Sequence, residues 1–257
     1  MVAGLKTKSV EEIRAIRAAC KIAAEVLREI CSIVQPGLTT IKLDEIVGQL
    51  IVDRGGTSAF LGYRGFPRNC CISINEGVVH GIATTRRIQF GDLVKIDVGV
   101  RFNGFVGDVA MSLPAGGCSP LAAKLMHVTT DALYLGIAQA RPGNRVTDIS
   151  RAIQEYVESN GFSIVREFVG HGVGRSVHEE PQIPNYVDHR HAVQLVPGLV
   201  IATEPMVNAG GPGIELLGDQ WTVITKDRKL SAHFEHSVLI TDNEAEILTR
   251  DGMTPLY

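Results

Sequence analysis

At 257 residues, with 45% of them apolar and a formal net charge of −3, the chain can bury a substantial core, as one large domain or two small ones. That charge gives no long-range pull on nucleic acid, and no Lys/Arg run marks a basic arm. No apolar run approaches the roughly 18 residues of a membrane helix, and the first residues lack the apolar region and cleavage site of a signal peptide, so a cytoplasmic protein is expected.

Ser9 and Glu12 have the spacing of a capping box and open a first helix. Its apolar face is Ile16, Cys20, Ala23, Leu27, Ile30 and Val34, until Pro36-Gly37 stops it. Thr40 caps a second helix, with Leu43, Ile46, Val47, Leu50 and Ile51 on one stripe and Gly55-Gly56 at its end. A strand near Cys70 to Ile74 follows. Five cysteines, two of them adjacent and none in a CxxC, support neither a disulfide framework nor a zinc knuckle.

The next stretch, Leu93 to Asp108, is a hairpin. Val94, Ile96, Val98 and Val100 alternate with Lys95, Asp97 and Gly99, giving one apolar face. Asn103-Gly104 is the strongest short-range turn signal, because both positions tolerate positive φ. A two-residue loop there sets Gly99 opposite Asp108 and Asp97 opposite Ala110, so Asp97 and Asp108 share a face as diagonal neighbours about 7–8 Å apart. Like charges so placed repel unless a cation lies between them.

Ser119-Pro120 starts a third helix, which Arg141-Pro142-Gly143 ends, and Thr147 opens a fourth, closed by Asn160-Gly161. Strands are expected over Ser163 to Val169, Leu199 to Thr203 and Ala232 to Ile240. Pro142, Thr147 and Gly161 lie about 105–107 positions after Pro36, Thr40 and Gly56. The chain therefore reads as a duplicated helix-helix-sheet unit, roughly 10–115 and 120–248, in a single domain over 1–257. The fold class is α+β, with antiparallel sheet inside and helices outside. The same shift carries Asp97 onto Glu204, so each half brings an acid to a shared cleft.

The second half also offers His171 among glycines in FVGHGVGRSVHEEP and Glu235 in SAHFEHSV. Asp97, Asp108, Glu204 and Glu235 with one imidazole would be neutralised by two divalent cations. Oxygen-rich ligation with a single nitrogen fits Mn, Fe or Co, with zinc a further candidate, and not a structural thiolate site. Spacing alone leaves the plainer alternative open, that these are acids solvated at strand ends.

HGI at His80, KIDVGV at Asp97, GFVGD at Asp108, FVGHGVGRSVHEEP at His171 and His178, ATEPMVNAG at Glu204 and DQWTVITKDRKLSAHFEH at Glu235 together resemble type I methionine aminopeptidase of the short, bacterial type. The likeness runs from about Ser9 to Leu248, with the motifs in family order. It implies the pita-bread fold, pseudo-twofold like the repeat above. Carried onto matching positions, it implies metal ligands at Asp97, Asp108, His171, Glu204 and Glu235. It further implies attack of a metal-bridging water on the first peptide bond, with Glu204 also handling protons and His80 and His178 hydrogen-bonding the amide and the tetrahedral intermediate. The methionine pocket would use Tyr63, Phe66, Cys71 and Trp221, with Phe60 nearby. Asn75 and Ser231 match positions that help bind a monovalent cation in some relatives, although Gly77 departs there.

The resemblance implies removal of the initiator methionine from nascent chains with a small second residue, transient contact with the ribosome, no membrane and a monomer. Ala83 stands where the family usually has proline, Lys95 where asparagine is common, Val177 where a bulky aromatic precedes His178, and His233 where glutamine is frequent. These departures bear on pocket shape, access and pH profile rather than on the reaction. His127, His189 and His191 are expected outside the site, and His236 on the opposite strand face from Glu235. The alternatives are another pita-bread hydrolase, an X-Pro aminopeptidase or prolidase, and a non-catalytic homologue that lost the metals. The first usually carries a large N-terminal domain, and the second conflicts with five intact ligand positions.

Overall fold

The computed structural model describes residues 5–250. Its first helix, α1 (Val10–Ile33), begins as the capping box requires: Ser9 Oγ accepts from Glu12 N–H, and Ser9 N–H donates to Glu12 Oε2 at 3.1 Å. Ile16, Cys20, Ala23, Leu27 and Ile30 on its apolar face are fully buried, and each leucine or isoleucine so placed contributes about 1.5–3 kcal/mol. For α2 (Thr40–Asp53) the cap is Thr39, one residue earlier than expected. Thr40 is instead buried, exchanging hydrogen bonds with the backbone of Thr84. Two adjacent threonines are indistinguishable as caps by residue type; the tertiary partner decides between them.

Strands β1 (Thr57–Ser58), β2 (Cys71–Ile74), β3 (Leu93–Phe102) and β4 (Phe105–Pro114) complete the first half. The β3–β4 register is the expected one, with Gly99 opposite Asp108, Asp97 opposite Ala110, and both Asn103 and Gly104 at positive φ. Val94, Ile96, Val98 and Val100 face the core that α1 covers, leaving the other face to Lys95, Asp97 and Gly99.

The second half opens with α3 (Pro120–Ala138), capped by Ser119 with proline in its first turn. For α4 (Val146–Ser159) the cap position is Arg145 rather than Thr147, because Asp148 accepts from Arg145 N–H at 2.8 Å and takes the capping role from inside the first turn. Strands β5 (Ser163–Ile164), β6 (Gly170–Gly172), β7 (Glu179–Ile183), β8 (Val200–Thr203), β9 (Met206–Asn208), β10 (Ile214–Leu216), β11 (Val223–Thr225), β12 (Ser231–His233), β13 (Glu235–Ile240) and β14 (Ala245–Ile247) follow.

Two expected strands differ from what forms. The segment from Ser163 to Val169 pairs only at Ser163 and Ile164, then loops to cross from one sheet to another. The segment from Ala232 to Ile240 is divided at Phe234, although its register is unchanged across the break: His236 pairs with Thr203 and His233 with Met206. Pro205, facing the break, has no N–H to keep the ladder closed. The main sheet has nine strands, ordered β1-β3-β4-β13-β8-β6-β7, with β2 on β3 and β14 on β13. Antiparallel β4–β13 pairing joins the halves. One apolar core, drawn from all four helices, lies against the sheet. No helix among the described residues is long and apolar enough to cross a membrane.

Candidate metal centre

The sheet register brings the candidate ligands together. Asp97 pairs with Ala110, and Ala110 with Glu235; continuing the β8–β13 register one position past Thr203 sets Glu204 opposite Glu235. Two residues along, on the same face, Ser237 Oγ donates to the Asp108 carbonyl at 2.8 Å, Ser237 pairs with Ala202, and Ala202 with His171. Ala110, Ser237 and Ala202 therefore separate the functional side chains with small ones. The volume that larger residues would fill is left for the four acids and the imidazole to face.

Backbone approach matters most at His171. A Cβ on Gly170 would lie 2.3 Å from the Ala202 carbonyl, and one on Gly172 2.3 Å from that of Glu180. Only glycine lets β6 fit between β7 and β8. The His171 ring is oriented by Nδ1, 2.9 Å from the Gly172 carbonyl, which leaves Nε2 toward the acids. That Nε2 is 3.3 Å from Glu204 Oε1 and 4.0 Å from Asp108 Oδ2. One ligand atom each of Asp108, His171 and Glu235 lie within 4.8 Å of one another.

All four carboxyl groups have pKa values pushed up, first by burial and, for three of them, also by the other acids. Asp97, Glu204 and Glu235 stand well above the usual carboxylate range, and Asp108 at about 7. Burial draws His171 down to about 3, so its imidazole is neutral and a competent ligand at neutral pH. Asp97 Oδ1, Asp108 Oδ1 and Glu235 Oε1 are buried without a hydrogen-bond partner. The only ion-pair partners these acids have among the described residues are His171 and His233. Buried carboxylates this poorly compensated fit divalent cations.

A cavity of about 540 Å³ opens onto the acids and is lined by every residue expected in the metal, proton-handling and pocket roles. Phe66 and Trp221 pack edge to face at 5.1 Å, and Cys71, opposite Asp97 in the β2–β3 register, completes that wall. Tyr63 Oη lies 2.9 Å from His178 Nδ1. His80 has φ +57, a left-handed conformation that costs about 1–2 kcal/mol, and its ring meets Phe168 edge-on at 5.2 Å. Burial lowers the pKa of His80 to about 4 and also lowers that of His178.

Phe168, Met206 and Gln182 line the cavity too, and the sequence reading did not single them out. Only the nearness of Phe168 to the VGHG motif could have drawn attention to it. His233, noted as a departure, is buried with Nε2 3.6 Å from Glu204 Oε2. His236 points away, toward Thr249 and Tyr134. His127 pairs with Asp131, and His189 and His191 lie in a short turn beside Asp188, all apart from the cavity. At the positions of Asn75 and Ser231, Lys95 Nζ donates to both backbone carbonyls.

Residues 14–242 match the model of metallopeptidase family M24. The chain is 45% identical to methionine aminopeptidase 1 of Bacillus subtilis, covering 95% of this chain and 98% of that one. It is 47% identical to the methionine aminopeptidase of Clostridium perfringens, over 94% and 97% respectively. The crystal structure of methionine aminopeptidase from Rickettsia prowazekii superposes with a TM-score of 0.94 at 39% identity, over 96% of this chain and all of that one. Fold, family model and near full-length identity agree, and the chain belongs to metallopeptidase family M24, with the pita-bread fold, among the bacterial methionine aminopeptidases.

Proposed function

We propose that Asp97, Asp108, His171, Glu204 and Glu235 hold two divalent ions, Mn, Fe or Co in preference to Zn, at the catalytic centre of one domain built from two similar halves. The chain is a metalloexopeptidase that removes the N-terminal methionine of proteins, and its family binds divalent metal. The observation that carries the residue assignment is the meeting, from both halves, of four carboxyl groups, three of them with an orphaned buried oxygen, around one neutral imidazole.

Bound ions supply Lewis-acid polarisation of the scissile carbonyl and an acidified water as nucleophile. The protein's own groups do the rest. Glu204, beside His171 and His233, is placed to take a proton from the nucleophile and return it to the leaving amine. With Nδ1 engaged by the Tyr63 hydroxyl, His178 presents Nε2–H to the carbonyl oxygen as negative charge develops there. His80, neutral at working pH, donates to the substrate amide. Tyr63, Phe66, Cys71 and Trp221 receive the methionine side chain, whose sulfur gains roughly 0.3–1.5 kcal/mol beside an aromatic ring. The second side chain must pass close to the acids, which selects small residues there.

The setting we propose is cytoplasmic, with the protein monomeric and in transient contact with the ribosome. Metal-loaded protein should release methionine from Met-Ala-Ser and leave an X-Pro peptide intact. Cleavage of the proline peptide alone would move the assignment to an X-Pro hydrolase, and no turnover with Mn, Fe or Co would favour a binding homologue.

A further inference from the structure

Lys95 lies on β3 two residues before Asp97 and on the same face, yet its side chain forms no ion pair among the described residues. It is one of the largest fully buried side chains, 2% exposed. Its Nζ donates instead to three backbone carbonyls: Asn75 at 2.8 Å, Ser231 at 3.0 Å and, more weakly, Leu93 at 3.4 Å. These oxygens come from the turn after β2, the start of β3 and the start of β12, so both halves contribute.

The carbonyls are fixed independently of the lysine. Asn75 is held at φ +52 while its side chain donates to Asp92 Oδ1 at 2.7 Å and accepts from Leu93 N–H at 2.9 Å. Ser231 N–H donates to the Asn75 carbonyl, and Ser231 Oγ to Asn208 Oδ1 at 2.9 Å. Neutral backbone oxygens converging on one point can replace the hydration shell of a monovalent cation. Three acceptors also match the three N–H donors of an ammonium, where a neutral amine has two. Burial draws the pKa of Lys95 down to about 7, with Glu76 and Asp92 acting against that and Arg86 with it.

We propose that the Lys95 ammonium is a built-in cation, filling the carbonyl site between Asn75 and Ser231 so that no free monovalent ion binds there. A free ion and the ammonium would compete for the same oxygens. The tethered charge thus joins β12 of the second half to β2 and β3 of the first, on the strand that carries Asp97. Vacating it should turn the cluster into a potassium or sodium site.

The test is thermal unfolding of metal-loaded protein in KCl, NaCl and choline chloride at equal ionic strength. Wild type should unfold at one temperature in all three. Lys95→Asn, which empties the site, should unfold lower in choline and rise in KCl or NaCl by roughly 3–6 °C when the ion is at about ten times its Kd. Lys95→Met fills the space without charge and should stay low in every salt. A wild type stabilised by potassium or sodium over choline would overturn the proposal. So would a Lys95→Asn variant that remains unresponsive, or unfolded, in all three salts. Release of methionine by the wild type is measured separately, so that activity can stand or fall without altering this result.

Discussion

Asp97 shows how much one residue's chemistry depends on its surroundings. On β3 it is flanked by Ile96 and Val98, whose burial in the core fixes which way it points, and burial together with Asp108 makes its charge costly. Asp97→Asn should lower bound metal and activity together, because the amide cannot replace an anionic ligand. His178→Ala should differ in kind. Metal content should stay at the wild-type level while kcat falls roughly 10²–10³-fold, the usual cost of losing one donor to a developing oxyanion. Metal analysis beside steady-state kinetics separates the two, and a His178→Ala variant that lost its metal would contradict the assigned role. The placement of Asp97 and Asp108 was legible because alternation and Asn103-Gly104 fix a register from local residues alone. The destination of Lys95 was not, since a lysine beside an aspartate on a strand reads as solvated. Only the meeting of β2, β3 and β12 buries it.

Helix ends were the most readable elements, because capping uses residues three apart. Ser9 illustrates this: its hydroxyl and the Glu12 carboxylate satisfy two backbone donors at the start of α1. Ser9→Ala should cost about 1 kcal/mol, a fall of roughly 2–4 °C in Tm for a chain of this size, with activity at room temperature unchanged. A fall several times larger would mean that α1 docks through that turn rather than through its buried face. Where tertiary partners share the work, residue type was not enough. Thr84 draws Thr40 away from capping, Asp148 takes over from Thr147, and Pro205 opens the ladder that would have run unbroken through Phe234. That last break lies where Glu204 and Glu235 face each other, so the strand boundary and the site have one cause.

At the scale of the whole molecule, two helix-helix-strand units are joined through β4 and β13, and α2 and α4 have the same length, 14 residues. Asp97 and Asp108 come from the first unit; His171, Glu204 and Glu235 come from the second. The spacing of caps and stops suggested a repeat from sequence, but short strands such as β6 carry too little pattern to show which neighbours they join. Gly170 and Gly172 settle that by close approach. The proposed chemistry requires the five ligand side chains to converge at the seam between the units. Its most direct test is anomalous scattering from crystals of the protein loaded with manganese. Two peaks should appear in the cavity, ligated by Asp97, Asp108, His171, Glu204 and Glu235. Manganese bound elsewhere, or those five side chains pairing with protein groups instead while the crystals are saturated with the ion, would contradict it.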